Sequence, residues 1–345
     1  MIQIDGSTGE SGGQILRTAL SLSAITGKPF KITNVRSKRP KPGLQAQHLT
    51  CVRALKEICN ADVKGATLGS QTLEFIPHKI NRGNYNFDIG TAGSITLLAQ
   101  CVLPVLLFGE GESVVHFAGG THVSFSPVGN YFSQVFLPAI QKMGVDVHFT
   151  IDRLGWFPVG GGKATLKVKP CGEIKPLNLI ARQISPNIIV TALYSQLPDA
   201  VGKRLANSTV KHFTNDICCA EIKVEKKDAG CPGCAVFVKA DYTNCVAGFS
   251  SLGKLGKPAE AVGKEAAGAF LEFDKTAACV DVHLADQLLL YCALANGTSS
   301  FTTEAISQHF DTNAWTISKF LPAVMVKTRK VGSAVAVSVS HSANC

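Results

Sequence analysis

The residues best suited to chemistry lie in the stretch FTTEAISQHFDTNAWTISKFL, which contains His309 and, four positions on, Asn313. Apolar residues at helical spacing predict a helix that begins near Asp311, so His309 would lie just before its first turn. The N-terminus of a helix presents free backbone N–H groups and the positive end of the helix dipole, which favour a phosphate. A histidine beside an anion can be a nucleophile toward phosphorus, a general base or a packed structural residue.

A glycine-rich turn near the N-terminus, GSTGESGGQ, follows a strand-like segment and precedes a helix. Glycines allow backbone amides to approach an anion closely, and Glu10 could hold a divalent metal ion beside it. The turn lacks the GKS or GKT of a Walker A motif and does not match the dinucleotide-binding fingerprint. The alternative explanation is a tight strand-to-helix turn with no ligand.

A cluster of cations follows in the stretch VRSKRPKPGLQAQH, where Arg36, Lys38, Arg39 and Lys41 lie in a segment that contains two prolines. Because prolines keep these cations off a helix face, the segment is a candidate phosphate clamp; a solvated basic loop is the alternative. Arg17, one turn into the first helix, is a charge on an apolar stripe, which predicts that it points into a polar cleft.

Two further loops combine glycine with aromatic residues and proline. In FAGGTHVSFSPVGNYF, the spacing of Pro127 and Tyr131 could sandwich a nucleobase, although core packing explains Tyr131 equally well. The segment RLGWFPVGGGKA ends in three glycines, which allow close backbone approach to a ligand or to another loop.

The chain contains an internal repeat. Three glycine-rich or small-residue turns each open an apolar helix, and each is followed by strand-like sequence and a second, amphipathic helix. The first helices are at 9–27, 90–108 and 283–297, and the second helices at 45–63, 126–147 and 311–326. Three copies of one βαβαββ-like unit explain this pattern.

A different pattern separates the second copy from the third. Strand-like segments are predicted at 181–189, 221–226 and 235–242, helices at 200–213 and 259–272, and a loop in GFSSLGKLGKP. We therefore predict an α/β (α+β) fold with a large domain of three repeats, residues 1–177 and 274–345, and a smaller α+β insert domain, residues 178–273.

Composition narrows the class of protein. Of 345 residues, 46% are hydrophobic and 17% charged, and the net charge of +9 favours an anionic partner such as a nucleic acid or a nucleotide. The N-terminus does not resemble a signal peptide, and the longest apolar stretch, 95–108, is too short to span a bilayer and is expected to be a buried helix. We expect no membrane association and a cytoplasmic location, or a nuclear one in a eukaryotic cell.

The twelve cysteines are expected to be reduced thiols. Cys231 and Cys234 form a CPGC pair, with Cys218 and Cys219 upstream, which raises a zinc or redox site as one interpretation. Adjacent cysteines supply zinc geometry poorly, so a turn with incidental thiols is the preferred interpretation.

Seven ordered motifs together resemble one known family. The motifs DGSTGESGGQILRTALSLS, RSKRPKPGLQAQHL, GTAGSITLLAQ, GGTHVSFSP, GWFPVGGG, HLADQLLL and SQHFDTNAW resemble those of the RNA 3′-terminal phosphate cyclases. The resemblance implies three repeats like the C-terminal domain of translation initiation factor 3, a fold related to the enolpyruvyl transferases, with a smaller domain inserted before the third. It also implies ATP-dependent conversion of an RNA 3′-phosphate to a 2′,3′-cyclic phosphodiester.

The resemblance further implies a role for particular residues. His309 would be the nucleophile, forming an adenylyl-histidine and then an RNA(3′)pp(5′)A end, with release of pyrophosphate and later AMP. Glu10 would bind Mg²⁺ or Mn²⁺, and Arg17, Arg36 and Arg39 would contact the triphosphate or the RNA phosphate. The positions that resemble the family's adenosine site are Gln100, Pro127, Tyr131, Asp286 and Gln287, with His283 where a base-stacking aromatic is usual.

The sequence departs from the family pattern in three places. Ser11 replaces a glycine of the usual GEGGGQ, and Val128, Gly129 and Asn130 stand where a second proline and an acidic residue are common. Tyr291 replaces a frequent proline or other apolar residue.

Two alternative functions are compatible with this sequence. One is a catalytically inactive cyclase-like factor that binds RNA or protein in ribosome assembly, although such relatives lack the catalytic histidine. The other is an enolpyruvyl transferase, which would need no adenylyl acceptor. The physiological RNA, activity on DNA ends, nucleotide preference and oligomeric state, a homodimer included, stay open at this point.

Overall fold

The computed structural model of the chain describes residues 1–183, 186–213 and 220–342, which contain four four-stranded sheets. The first unit comprises β1 (Ile2–Asp5), α1 (Gly13–Thr26), β2 (Phe30–Thr33), α2 (Ala46–Ile58), β3 (Asp62–Lys64) and β4 (Leu73–Ile76). Its sheet has the strand order β1-β2-β4-β3, in which β1 and β2 are parallel and the other pairs antiparallel.

The second unit has the same strand order and directions. It comprises β5 (Asn84–Asp88), α3 (Ile95–Leu106), β6 (Ser113–Gly119), α4, β7 (Val147–Arg153) and β8 (Gly162–Val168). Helix α4 has three consecutive parts, α-helical Gly129–Tyr131, π-helical Phe132–Phe136 and α-helical Leu137–Gln141.

The third unit repeats the pattern a third time, in the order β9-β14-β16-β15. It comprises β9 (Asn178–Leu179), α7 (Val282–Leu294), β14 (Ser299–Thr303), α8 (Gln308–Phe320), β15 (Val324–Val331) and β16 (Ala334–His341). Its first strand therefore lies about a hundred residues before its first helix.

The fourth sheet lies between β9 and α7 in the chain, with the strand order β11-β10-β12-β13. Its elements are β10 (Asn187–Ser195), α5 (Asp199–Lys211), β11 (Glu221–Lys226), β12 (Gly233–Asp241), β13 (Val246–Leu252) and α6 (Ala259–Asp274). Helices α5 and α6 pack against each other and against this sheet. These observations make the fold a mixed α/β one, as predicted; the domain boundaries at 177/178 and 273/274 stay a prediction.

Helix α1 lies among other helices, because it packs against α2, α3 and α8. Burial on nearly every side means that its polar side chains need partners inside the protein. Ser21 Oγ donates to the Cys101 carbonyl of α3 at 2.7 Å, and Thr18 Oγ1 donates to Asn313 Oδ1 of α8 at 2.7 Å. These hydrogen bonds join the three units through α1.

The structure corrects several predicted boundaries. The helix predicted at 311–326 ends at Phe320, because Pro322 disfavours helical conformation in the residue before it, and Val324 begins strand β15. The loop predicted in GFSSLGKLGKP begins inside β13, which ends at Leu252. The strand predicted at 181–189 begins at Asn187 and continues to Ser195, and residues 184–185 lie outside the described part.

The apolar stretch at 95–108 forms α3 almost throughout, and most of its side chains are buried, as expected. Across the described residues, no helix combines the length and the apolar character that a membrane crossing needs.

One arginine joins the two places where the chain passes between the third unit and the fourth sheet. Arg182, which follows β9, is almost fully buried and pairs with Asp274 at the end of α6 at 3.1 Å. Its guanidinium also lies over the rings of Tyr242 and Phe273, at 4.4 and 4.7 Å from their centroids. Tyr242 in turn donates a hydrogen bond to Asp274 at 2.8 Å.

We expect Arg182→Ala to lower the free energy of unfolding by about 3 kcal/mol, because it leaves a partly buried carboxylate without its partner. The matched control is Arg204→Ala: Arg204 forms two 2.8 Å hydrogen bonds to Glu260 on the exposed surface, and such pairs contribute less than about 1 kcal/mol. Urea denaturation measures both variants. Equal losses would show that burial of Arg182 contributes nothing.

Candidate active site

His309 lies in the first turn of α8, and the predicted helix start near Asp311 is wrong by three residues. Ser307 caps the helix, because its hydroxyl oxygen accepts the N–H of Phe310 at 3.0 Å. Apolar spacing alone does not reveal this serine cap, which is why it predicts a later start for the helix. His309 is therefore the second residue of the helix, close to its N-terminal backbone amides, and its side chain is about half exposed.

The imidazole contacts two side chains from the first unit. Its Nε2 lies 3.0 Å from Glu10 Oε2, and its Nδ1 forms a short hydrogen bond with Gln14 Oε1. An amide oxygen only accepts, so Nδ1 carries a proton and the neutral ring has its lone pair on Nε2. Nε2, which faces Glu10, is thus the nitrogen whose lone pair could attack an electrophile when the ring is neutral.

The loop between β1 and α1 carries Glu10 to this position. Ser11 has a φ of 52°, in the left-handed region, where the glycine usual in the family would be unstrained. Its buried hydroxyl donates to the Gly6 carbonyl at 3.0 Å, which closes the loop. The space beside Gly12 is filled by Glu10, since a Cβ there would lie 2.4 Å from Glu10 Oε1.

Cations surround the histidine. Arg39 Nη2 lies 3.2 Å from Glu10 Oε2, so the two side chains that contact this carboxylate oxygen are Arg39 and His309. Burial lowers the pKa of His309, Glu10 opposes that shift, and Arg17 and Arg39 support it. A lowered pKa means that the imidazole is mostly neutral near pH 7, as a nucleophile requires.

Arg36 forms hydrogen bonds within its own loop. Its Nη1 donates to the carbonyls of Lys41 and Gly43 at 2.6 and 2.9 Å, so part of its guanidinium holds its own loop together. Its backbone φ of 53° is also left-handed. In this structure Arg36 supports the loop that presents Arg39.

His48 and Gln14 belong to the site and were not singled out from the sequence. The Nδ1 of His48 accepts the N–H of Gln45 at 3.3 Å, within a capping box at the start of α2. Burial, assisted by Arg17 and Arg36, lowers the pKa of His48 to about 3, so the ring is neutral with its proton on Nε2. That Nε2 faces Gly13 at the start of α1. The capping-box spacing from Gln45 to His48 was the available signal.

Asn313, one turn after His309 in α8, contacts Asp286 of α7. Asn313 Nδ2 donates to the Asp286 carbonyl at 2.8 Å, and its Oδ1 accepts from Thr18, so all its polar atoms connect helices. Burial raises the pKa of Asp286 to about 8, an effect that Arg17 opposes and the carboxylates of Asp281 and Glu10 reinforce. The carboxyl group is therefore largely protonated at neutral pH.

The remaining predicted nucleotide-binding residues form a neighbouring group. Gln100 Nε2 donates to Gln287 Oε1 at 2.6 Å. Tyr131 is buried and donates to Asp281 at 2.7 Å, and its position in the core matches the packing interpretation of the sequence. Pro127 is half-buried, and His283 is exposed.

A divalent cation has one clear candidate ligand. Glu10 Oε1 is buried and has no hydrogen-bond partner, whereas no group of three His, Cys, Asp or Glu side chains in the described ranges is arranged to hold a metal ion. Mg²⁺ commonly takes one or two protein carboxylates together with phosphate oxygens and water, so Glu10 fits such an ion.

The CPGC segment packs against the second unit. Cys231 is buried, with its Sγ 3.7 Å from the Trp156 carbonyl, and Cys234 is half-buried. Both are free thiols in a turn, while Cys218 and Cys219 lie outside the described residues.

We expect Gly9→Ala to destabilise the protein by about 2–3 kcal/mol. Gly9 has a φ of 55°, and a Cβ there would lie 2.2 Å from Thr312 Oγ1 of α8. Gly27→Ala is the control, since its φ is 68° with no atom within 4 Å of the added Cβ, and should cost about 1 kcal/mol. Thr312→Ala added to Gly9→Ala removes the clash and should bring the loss of stability down to that of Gly27→Ala, as measured by urea denaturation. Equal losses for the two glycines would contradict the clash.

Asp286 should make stability depend on pH. Its pKa is about 8 when folded against an ordinary value of 3.8, so the folded state retains a proton that the unfolded state loses. The contribution of protonated Asp286 to stability is complete below about pH 4. As the pH rises toward 8, it is lost, and the free energy of unfolding falls by up to about 1.4 kcal/mol per pH unit. Asp286→Asn should remove this part of the slope, and Asp88→Asn, at an exposed carboxyl group, should not. Identical slopes for wild type and Asp286→Asn would contradict the shift.

Comparison with known proteins places this geometry in a family. The family model described as RNA 3′-terminal phosphate cyclase matches residues 8–326. The chain is 42% identical to the RNA 3′-terminal phosphate cyclase of Nostoc punctiforme over 327 residues, covering 93% of this chain and 94% of that protein. It is 42% identical to those of Methylococcus capsulatus over 344 residues (96% and 95%) and Salmonella agona over 323 residues (93% and 92%). The chain belongs to the RNA 3′-terminal phosphate cyclase family.

Proposed function

We propose that this protein converts an RNA 3′-terminal phosphate to a 2′,3′-cyclic phosphodiester at the expense of ATP, with His309 as the adenylyl acceptor. The observation that carries the proposal is the fixed tautomer of His309. Gln14 accepts from Nδ1, which directs the lone pair of Nε2 toward the cleft beside Glu10 and Arg39. The relatives named as RNA 3′-terminal phosphate cyclases supply the substrate class.

In the first step, Nε2 of His309 attacks the α-phosphorus of ATP, the new N–P bond forms and the bond to pyrophosphate breaks. The imidazole becomes cationic, and the Nδ1–H bond to Gln14 holds it in place. Glu10, 3.0 Å from Nε2, favours positive charge on the ring. A neutral histidine beside a carboxylate is therefore suited to both the attack and the charge that follows.

In the second step, an oxygen of the RNA 3′-phosphate attacks the adenylyl phosphorus, and the N–P bond breaks and returns the lone pair to His309. The RNA then ends in a 3′pp5′A group. In the third step, the adjacent 2′-hydroxyl gives its proton to water and attacks the phosphorus bonded to the 3′-oxygen, and the bond from that phosphorus to the bridging oxygen breaks, so that AMP leaves. This last step is intramolecular, so correct orientation of the RNA end supplies much of the rate.

The charges of the site suit a polyphosphate. Arg39 and Arg17 lie around His309, and the N-terminal ends of α1 and α8 meet there through the Gln14–His309 hydrogen bond. Helix N-termini and guanidinium groups both stabilise negative charge on phosphoryl oxygens. Neutral His48, with Nε2–H toward Gly13, adds a hydrogen-bond donor without adding charge.

Glu10 would hold Mg²⁺ or Mn²⁺ through its unpartnered Oε1. Such an ion, when bound, would neutralise phosphate charge at the reacting phosphorus. We assign the adenosine moiety to the neighbouring group formed by Gln100, Pro127, Tyr131, His283, Asp286 and Gln287. Tyr131 would contribute by positioning α4 through its hydrogen bond to Asp281, since its ring is buried.

The test is incubation of the purified protein with Mg²⁺ and ATP labelled at the α-phosphate, followed by denaturing electrophoresis. We expect an acid-labile, alkali-stable label on the wild type, because a phosphoramidate hydrolyses in acid, and a mass increase of one AMP. His309→Ala should lose the label completely. The matched control is His148→Ala, at an exposed histidine of β7, which should label like the wild type.

Addition of an RNA with a 3′-phosphate should discharge the label and give a cyclic end, whereas the same RNA with a 3′-hydroxyl should not. A folded wild type that takes no label with either Mg²⁺ or Mn²⁺ would refute adenylyl transfer. That result would favour a cyclase-like binding factor without catalysis.

A further inference from the structure

Two phenylalanine rings project into solvent from neighbouring loops at one end of the strands of the second sheet. Phe125 is 102% exposed and Phe157 is 75% exposed. The two loops are joined, because the N–H groups of Thr121 and His122 both donate to the Gly155 carbonyl, at 2.9 and 3.1 Å. Both rings therefore lie on loops that share backbone hydrogen bonds.

The loops are anchored firmly beneath these rings. Trp156, next to Phe157 in the chain, is buried; its ring lies 5.1 Å from that of His122, and its Nε1 donates to Ser195 at 3.0 Å. Phe125 has a φ of 61°, a left-handed conformation that is unfavourable for a bulky side chain. Strained and exposed residues of this kind concentrate at ligand-binding sites.

The loops at this end of the second sheet are connected to the candidate active site by a series of contacts. Gly160 lies against the backbone of Ala92, where an added Cβ would approach within 2.9 Å. The same turn continues to Ser94, whose N–H is accepted by Gln47 Oε1 at 2.9 Å. His48, the residue after Gln47, faces the start of α1 beside Arg17. A series of contacts thus connects the loops that carry the two rings to the neighbourhood of Arg17.

The exposed aromatic rings and the lysines near them favour a single nucleic-acid strand over a protein as the ligand. The rings stand on separate loops, and exposed lysines accompany them: Lys163 follows the Phe157 loop, and Lys254 lies in the loop after β13. The neighbouring Gly253 contacts Cys234, and Gly233 packs on Trp156, which brings that loop to the same end of the sheet. Isolated aromatic rings with cations are the features by which proteins bind unpaired bases and phosphates.

We propose that Phe125, Phe157 and Lys163 form a platform on which the nucleotides upstream of the RNA 3′ end stack. This inference rests on the proposed function, because it places the body of the same substrate. The bases would stack on the two rings, while Lys163 would contact the backbone phosphates. Affinity for RNA should then depend on strand length, and the adenylyl transfer to His309 should not depend on the platform.

Binding is measured by fluorescence anisotropy with a single-stranded RNA of about ten nucleotides that carries a 3′-phosphate, a length within the usual range of such sites. Phe157→Ala and Phe125→Ala should each raise the Kd about fivefold or more, and Phe157→Trp should restore it. Labelling with ATP in the absence of RNA, and cyclisation of a dinucleotide 3′-phosphate, should match the wild type.

The matched control is Phe108→Ala, which removes a partly exposed ring just beyond the other end of α3, away from the Ser94 turn. It should leave the Kd unchanged. If the wild type binds and cyclises the RNA but both platform variants bind it with unchanged affinity, the inference fails while the proposed function stands, and a protein partner becomes the explanation for the rings. A wild type that neither labels nor binds RNA would overturn both.

Discussion

The burial of helix α1 among α2, α3 and α8 is the constraint on which the candidate site depends. Polar side chains on a buried helix must find partners, and those of α1 find them on other units. Thr18 reaches Asn313, which holds the backbone of Asp286, and Gln14 reaches His309. The same hydrogen bonds that make burial tolerable also orient the histidine, so stability and the proposed reactivity depend on one set of contacts.

Charge balance is the second constraint. One carboxylate, Glu10, lies among Arg39, Arg17 and the helix N-termini, and it contacts Nε2 of His309, the proposed nucleophile. A more acidic site would favour protonation of His309, and a site without Glu10 would offer no candidate metal ligand there. Protonation of Asp286 limits the negative charge behind the site, which suits a substrate rich in phosphate.

The repeated topology explains how distant residues meet. Helix α1 packs against α3, the first helix of the second unit, and against α8, the second helix of the third unit, so the N-terminus of α1 meets that of α8 at the Gln14–His309 hydrogen bond. The fourth sheet interrupts the third unit between β9 and α7 without breaking its sheet, because Arg182 and Asp274 hold the two chain crossings together. The third unit thus has the same order of strands and helices as the first two, although the fourth sheet is inserted between its first strand and its first helix.

The sequence by itself determined most of the local structure and indicated which residues are candidates for the site. Periodicity predicted the repeated helices and located the strand Glu221–Lys226 to the residue, and the motif order made His309, Glu10 and the arginines candidate site residues. These features depend on nearby residues. Tertiary structure alone decided that His48 faces α1, that Arg36 braces its own loop, and that strand Asn84–Asp88 forms despite two asparagines, through pairing with β6. Such outcomes depend on contacts between residues far apart in the chain, which no local pattern encodes.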